Sequence, residues 1–316
     1  MKQARIVFMG TPDFALGCLA SLHQQNYPIV GVVTAPDRPA GRGKKLRESP
    51  VKQFAAAHDL CVLQPQNLKD PSFLEQLKQL KADIFVVVAF RMLPRQVWQL
   101  PPLGTFNLHA SLLPDYRGAA PINWAIINGE EKSGVSSFLI DEAIDTGAVL
   151  LQESVAIQKT DTAGSLHDKL LEAAKRLIPK TIDGLYNKVL TPIPQEEPIP
   201  GKSAPKLYPE NTRIHWGRSA EQIVNLIRGL SPFPCAWTTL EEKGKETVRI
   251  KIHRASWKAE EHDLAVGTWS VSNKKIEVAI QDGFIQILEL QWPGKKQMAA
   301  QDLLNGRSFS AESRVL

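Results

Sequence analysis

The chain has 316 residues, of which 43% are hydrophobic and 22% charged, and its formal net charge is +5. This composition excludes a disordered polyelectrolyte, a collagen-like repeat and a coiled coil, and the length exceeds one domain of ~100–200 residues, so two domains are expected. The longest apolar run, residues 84–90, is far shorter than the ~20 residues of a spanning helix, and Pro12 and Asp13 interrupt the apolar stretch behind Lys2 and Arg5, so neither a membrane partner nor a secretory signal is expected and the protein reads as cytoplasmic.

In chain order, the first half alternates short apolar runs with helical patterns, the arrangement of βαβ units on a parallel sheet. Residues 5–9 read as a strand and 13–25 as the helix behind it, with Phe14, Leu16, Cys18, Leu19 and Leu22 on its apolar stripe. A second strand follows at 29–34. Residues 35–50 then form a long connection carrying Arg38, Arg42, Lys44, Lys45 and Arg47, and a connection of this length inside a compact domain is functional or disordered. Helices are expected at 51–58 and 70–80 around a short strand at 60–63, with Asp70 as N-cap and Pro71 at the first helical position. Residues 84–89, apolar on both faces, read as the central strand. Further strands are expected at 105–109, 135–140 and 149–156, and helices at 120–128 and about 165–185, the latter containing Pro179.

Residues 191–207 carry Pro192, Pro194, Pro198, Pro200 and Pro205 among small and charged residues, the composition of a semi-rigid linker. The domains are therefore expected at 1–190 and 208–316. Past the linker, a helix at 220–228 and five strand-like runs at 236–240, 248–253, 268–271, 275–280 and 284–290 suggest a small OB-like β-barrel. Its lysines and arginines, among them Lys243, Lys245, Lys251 and Arg254, form a second basic group that suits a polyanion. Cys18, Cys61 and Cys235 are scattered without CxxC spacing, which argues against disulfides and structural zinc.

Asn107 and His109 alternate with Phe106 and Leu108, so on a strand their side chains share one face. They end that strand, and open α/β sheets bind ligands beyond the carboxyl ends of their strands. Taken alone, such a pair also suits a satisfied core or turn. Likewise Asp145, within Asp145-Thr146-Gly147, alone reads as turn chemistry.

The run from Asn107 through Leu108, His109, Ala110, Ser111, Leu112, Leu113 and Pro114 to Tyr116-Arg117-Gly118-Ala119-Ala120-Pro121 resembles the signature of folate-dependent formyltransferases. Further blocks point the same way: Gly10-Thr11-Pro12-Asp13-Phe14-Ala15, the basic connection, Arg228-Gly229-Leu230-Ser231-Pro232-Phe233-Pro234, and Ala300-Gln301-Asp302-Leu303-Leu304-Asn305-Gly306. The resemblance spans essentially the whole chain. It implies a Rossmann-like α/β catalytic domain followed by the barrel, and Asn107, His109 and Asp145 as the catalytic set. It also implies 10-formyltetrahydrofolate as co-substrate, with no metal. Phe90, Arg91, Met92 and Leu93 would hold the pterin, and Ser111, Leu112, Leu113 and Pro114 would line the rest of the folate site. The member that these blocks resemble formylates the amino group of methionine carried on initiator tRNA. Gly10, Thr11, Pro12, Phe14, Arg38, Arg42, Lys44 and Lys45 would then meet the charged tRNA end, and a monomer is expected.

The residue types suit acyl transfer to an amine. The tetrahedral intermediate develops a negative oxygen that Asn107 and an imidazolium at His109 can stabilise, while Asp145 orients His109 or relays a proton. Two departures from the family pattern stand out: residues 89–94 are shorter and lack the usual glycine, and residues 140–144 lack the glycine expected before Asp145. Other members share the catalytic set while acting on sugar nucleotides or glycinamide ribonucleotide, so the acceptor rests on the loops. A non-catalytic tRNA-binding protein is a further alternative, whereas the lack of GxGxxG after the first strand disfavours a dinucleotide-dependent oxidoreductase.

Overall fold

The structure is a computed structural model that describes residues 3–40 and 45–316. Its chain divides into two compact units, one comprising Met1–Gly118, Ser133–Ala156 and His167–Ser203, the other Ala119–Lys132, Ile157–Leu166 and Ala204–Leu316.

The first unit is built on a seven-stranded sheet in the order Val149–Ala156, Lys132–Leu139, Thr105–His109, Ile84–Val88, Ile6–Gly10, Ile29–Val33 and Val62–Leu63. The last five are parallel, and Lys132–Leu139 runs antiparallel to Thr105–His109. Ile84–Val88 is the middle strand and is buried throughout, as its apolar character on both faces requires. Val7, Met9, Phe85 and Val87 pack with Phe73 and Leu77 in one core layer. The helix supplying those two side chains, Pro71–Gln79, starts where Asp70 accepts a hydrogen bond from the Ser72 amide at 2.8 Å. Gly10 ends the first strand where a Cβ would come within 2.9 Å of the Val88 carbonyl, so the turn into helix Asp13–Gln24 has no room for a side chain.

Two regions differ from the reading of the sequence. Residues 38–47 contain a short antiparallel ladder, Arg38–Ala40 against Lys45–Arg47. No pattern announces it, because Arg38 stands directly opposite Arg47 and like charges across a ladder disfavour pairing. The proline-rich stretch is not a bare spacer either. Ile193 forms a β-bridge with Val149, and the Tyr116 amide donates to the Lys202 carbonyl at 2.8 Å. Helix Ala163–Tyr186 continues through Pro179.

In the second unit, an antiparallel sheet runs in the order Trp269–Ser272, Lys275–Ile280, Gly283–Gln291, Val248–Ala259, Ala236–Glu241 and Arg314–Val315, with Gln297–Ala299 added beside Gly283–Gln291. A bridge from Thr268 to Arg314 brings the two ends together, which makes the sheet barrel-like. Two strands missing from the sequence reading, Gln297–Ala299 and Arg314–Val315, are too short for a period-two pattern to reveal. Along Ala236–Glu241 burial alternates, so Ala236, Thr238 and Leu240 face the core while Trp237, Thr239 and Glu241 face outward. Helix Ala220–Gly229, capped by Ser219, packs Ile223 and Ile227 into the same core.

Candidate active site

Strand Thr105–His109 delivers Asn107 and His109 at its carboxyl end. His109 is buried, and its Nε2 lies 2.8 Å from the Tyr116 carbonyl. A carbonyl only accepts, so Nε2 carries the hydrogen and Nδ1 is turned toward Asp145, whose Oδ2 is 3.7 Å away. Asp145 arrives from the loop after Lys132–Leu139 and adopts a left-handed φ of 58°. Its Oδ2 also accepts the Gly118 amide at 3.0 Å. Two residues later, a Cβ on Gly147 would stand 1.7 Å from the Leu139 carbonyl, so the turn that presents Asp145 requires glycine there.

The Asn107 Oδ1 atom is buried and has no hydrogen-bond partner. Such an orphan costs about 1–3 kcal/mol, and its place beside His109 fits an amide held for a ligand. Within the first unit the structure therefore brings His109 and Asp145 together and leaves Asn107 open on the same strand face.

The first unit also holds two cavities, and none of Asn107, His109 and Asp145 lines either of them. One, of ≈ 590 Å³, is lined by Thr11, Pro12, Arg38, Arg47, Phe90 and Arg91 among others. The other, of ≈ 750 Å³, is lined by Gln66, Asn67, Lys69, Arg91, Met92, Leu93 and Arg95 among others. Phe90 through Leu93 thus line cavities, and Thr11, Pro12 and Arg38 share one with Phe90. Burial first, then the like charge of Arg38, lowers the pKa of Arg91, whose guanidinium is tied back to the Pro65 and Gln66 carbonyls. The paired strands Arg38–Ala40 and Lys45–Arg47 place both arginines on one wall of a cavity that Arg91, Asp13 and Glu48 also line, so its basic side chains outnumber its acidic ones by one.

Other expected residues sit elsewhere. Gly10 and Phe14 are buried, and Phe14 meets the His167 ring edge-on. Ser111 donates to the Asp115 carbonyl at 2.6 Å, and the Leu113 amide bonds to Ser136, so these residues brace the turn after His109. Neither Ser111, Leu112, Leu113 nor Pro114 is among the residues lining the two cavities. Arg42 and Lys44 lie outside the described residues, as does the side chain of Lys45. Among the described residues, no group of three or more His, Cys, Asp and Glu side chains is placed to hold a metal.

Sequence reasoning missed the partners of Asp145. The Gly118 amide and the Gln195 side chain both reach it, and Arg117 reaches Gln195. A backbone amide has no residue-type signal, and Gln195 stands in a stretch whose composition announces only a linker.

On the second unit, Arg213 and Arg249 flank the outward Trp237 ring at 5.5 and 3.7 Å from its centroid. Lys251 lies directly opposite Trp237 in the ladder. By contrast, Lys243, Lys245 and Arg254 are paired with Glu312, Glu242 and Glu289 at 3.0, 2.7 and 3.2 Å.

The sequence matches two family models, Formyl transferase over residues 4–182 and Formyl transferase, C-terminal domain, over residues 206–308. The chain belongs to the formyltransferase family. Among its relatives, a methionyl-tRNA formyltransferase of Flavobacterium johnsoniae is 52% identical over 100% of both chains. One of Bacteroides thetaiotaomicron is 49% identical over 98% of this chain and 97% of its own. Within the family, the sequence groups with the methionyl-tRNA formyltransferases. The fold is shared with an N-formyltransferase from Helicobacter canadensis in complex with folinic acid and dTDP-3-aminofucose, at TM-score 0.66 and 21% identity over 93% of this chain and 100% of that one. HypX from Aquifex aeolicus, in complex with tetrahydrofolic acid, shares it at TM-score 0.65 and 16% identity, over 96% of this chain and 47% of that one.

Proposed function

We propose that this enzyme transfers the formyl group of 10-formyltetrahydrofolate to the amino group of methionine on initiator tRNA. The observation that carries the reading is the strand-end centre, where His109 faces Asp145 beside the unpartnered Asn107 amide. The amine nitrogen bonds to the formyl carbon and the carbonyl oxygen becomes an oxyanion; the oxyanion then reforms the carbonyl, the carbon–nitrogen bond to the folate breaks, and the proton given up by the amine ends on the departing folate nitrogen. The Asn107 side-chain Nδ2–H donates to the oxyanion, while its Oδ1 is left to accept from the incoming amine. Because Nε2 of His109 is engaged by Tyr116, Nδ1 is the ring atom left facing Asp145, and a proton passes between them only through an intervening solvent or substrate group. This shifts the expected role of His109 from direct oxyanion donor toward proton handling and charge.

Folate is assigned to the walls formed by Phe90, Arg91, Met92 and Leu93, and the charged tRNA end to the Arg38 and Arg47 side of the neighbouring cavity. Residues 1–190 carry the chemistry in this reading, and residues 208–316 dock the tRNA body. The lysines tied up by acids are poor phosphate ligands, so the docking face is assigned to Arg213, Trp237, Arg249 and Lys251.

The test supplies 10-formyltetrahydrofolate with initiator tRNA charged with methionine and looks for formylmethionyl-tRNA. Formyl transfer to an amino sugar nucleotide or to glycinamide ribonucleotide, with none to the tRNA, would overturn the acceptor and leave the reaction class standing.

A further inference from the structure

The proline-rich segment reaches into the catalytic loop. Gln195 Nε2 donates to the backbone carbonyls of Asp145 at 2.9 Å and Gly147 at 2.7 Å. Its Oε1 accepts from Arg117, at 3.0 Å from Nε and 2.8 Å from Nη2. Arg117 also donates to the Glu196 carbonyl at 3.1 Å, and the amide of the next residue, Gly118, donates to the Asp145 carboxylate at 3.0 Å. The result is a closed ring of hydrogen bonds that runs from Gln195 to the Asp145 backbone, through the Asp145 carboxylate to Gly118, and back through Arg117.

We propose that Gln195, held by Arg117, is a positioning residue that fixes the Asp145 carboxylate opposite His109. The inference rests on the formyltransferase reading of the site. Three features require such a clasp. Asp145 occupies a left-handed conformation, φ 58°, which an aspartate keeps only when its surroundings hold it there. The loop before it, residues 141–144, is exposed, and Asp141, which accepts from the Ala143 amide and the Thr146 hydroxyl, braces the turn without reaching the Asp145 carboxylate. A carboxylate that must stay beside a buried imidazole tolerates little displacement, since a shift of about 1 Å in a catalytic group can cost about a hundredfold in rate. Only a side-chain amide does this job, because it donates twice and accepts twice at one site. Glutamate keeps the Arg117 partner but sets a carboxylate against two carbonyls. Ile193, two residues earlier, pairs with Val149 by backbone bonds of 2.8 Å in each direction, so the segment is anchored without Gln195.

The experiment compares Gln195→Ala and Gln195→Glu with wild type in the full-length enzyme. Both variants should lose about tenfold to a hundredfold in kcat, with KM for folate and for charged tRNA and the melting temperature nearly unchanged. In an Asp145→Asn background Gln195→Ala should cause almost no further loss, because the two residues act through one group. Wild-type kcat in Gln195→Glu, or a loss that adds fully to that of Asp145→Asn, would overturn the proposal. So would a fall in melting temperature large enough to account for the lost rate. A second readout does not depend on the substrate: exchange of the Gly118 amide, which donates to the Asp145 carboxylate at 3.0 Å, should quicken by about tenfold or more in Gln195→Ala, as expected when local opening becomes easier. Unchanged exchange would refute the clasp even if the acceptor amine proved to be another one. Faster exchange without tRNA formylation would instead locate the failure in the proposed substrate.

Discussion

His109 Nδ1 faces Asp145 Oδ2 at 3.7 Å, too far for a direct hydrogen bond. A single turn, the one after the catalytic strand, brings this about. The Tyr116 carbonyl orients the ring from one side, while the Gly118 amide orients the carboxylate from the other. The residue between them in sequence, Arg117, is itself engaged with Gln195, so the turn after the catalytic strand serves both members of the pair.

Asn107→Ala should separate activity from stability. The amide is expected to act on the developing oxyanion, so kcat should fall by about 10²–10³, while the substitution removes a buried acceptor that has no partner. Thermal unfolding should therefore show a melting temperature equal to or above that of wild type. A destabilised variant would mean that Asn107 is a structural amide.

Gly147→Ala tests the turn that presents Asp145. Its Cβ would collide with the Leu139 carbonyl, so either the strand end or the turn must move, at a cost of about 1–3 kcal/mol. Urea unfolding should record that cost, and the rate should fall further than stability alone explains because Asp145 moves with the turn. A variant with full activity would show that the position of Asp145 is not critical.

Binding of tRNA should be read from its salt dependence. Arg213→Ala with Arg249→Ala should flatten the slope of log affinity against log salt by about 0.9 for each phosphate that is no longer neutralised. Lys243→Ala with Lys245→Ala should change it little, because Glu312 and Glu242 already neutralise those side chains. Equal flattening in both double variants would argue for a diffuse basic surface in place of the face around Trp237.

Acid should weaken the second unit through Glu242. Burial acts to raise its pKa, but hydrogen bonds from Lys245 and Arg307 outweigh burial and leave the value below that of an ordinary glutamate. Because the folded value is depressed, this stabilisation is present above the ordinary glutamate pKa and is lost as pH falls through the folded value. Arg307 is in turn stacked over Trp292, 4.2 Å from the ring centroid. Glu242→Gln should lower stability by about 1–3 kcal/mol at neutral pH, and the gap from wild type should close in acid. A gap that persists unchanged at low pH would show that the carboxylate charge contributes nothing.

The sequence alone determined the layered plan. Apolar runs of the right length, Asp70 before Pro71, and alternation in the second half carry that information locally, because burial period and capping chemistry are properties of neighbouring residues. They placed the strand Thr105–His109 at its observed bounds and set Asn107 and His109 on one face of it. Likeness to the family singled out Asp145. Only the tertiary structure decided how that aspartate is held. Gly118 and Gln195 reach it from segments with no sequence pattern linking them to it, and the Arg38–Arg47 pairing forms against the local charge preference. Hydrogen bonds between distant backbone and side-chain groups leave no periodicity, and a proline-rich composition reports stiffness without saying what the stretch is fastened to.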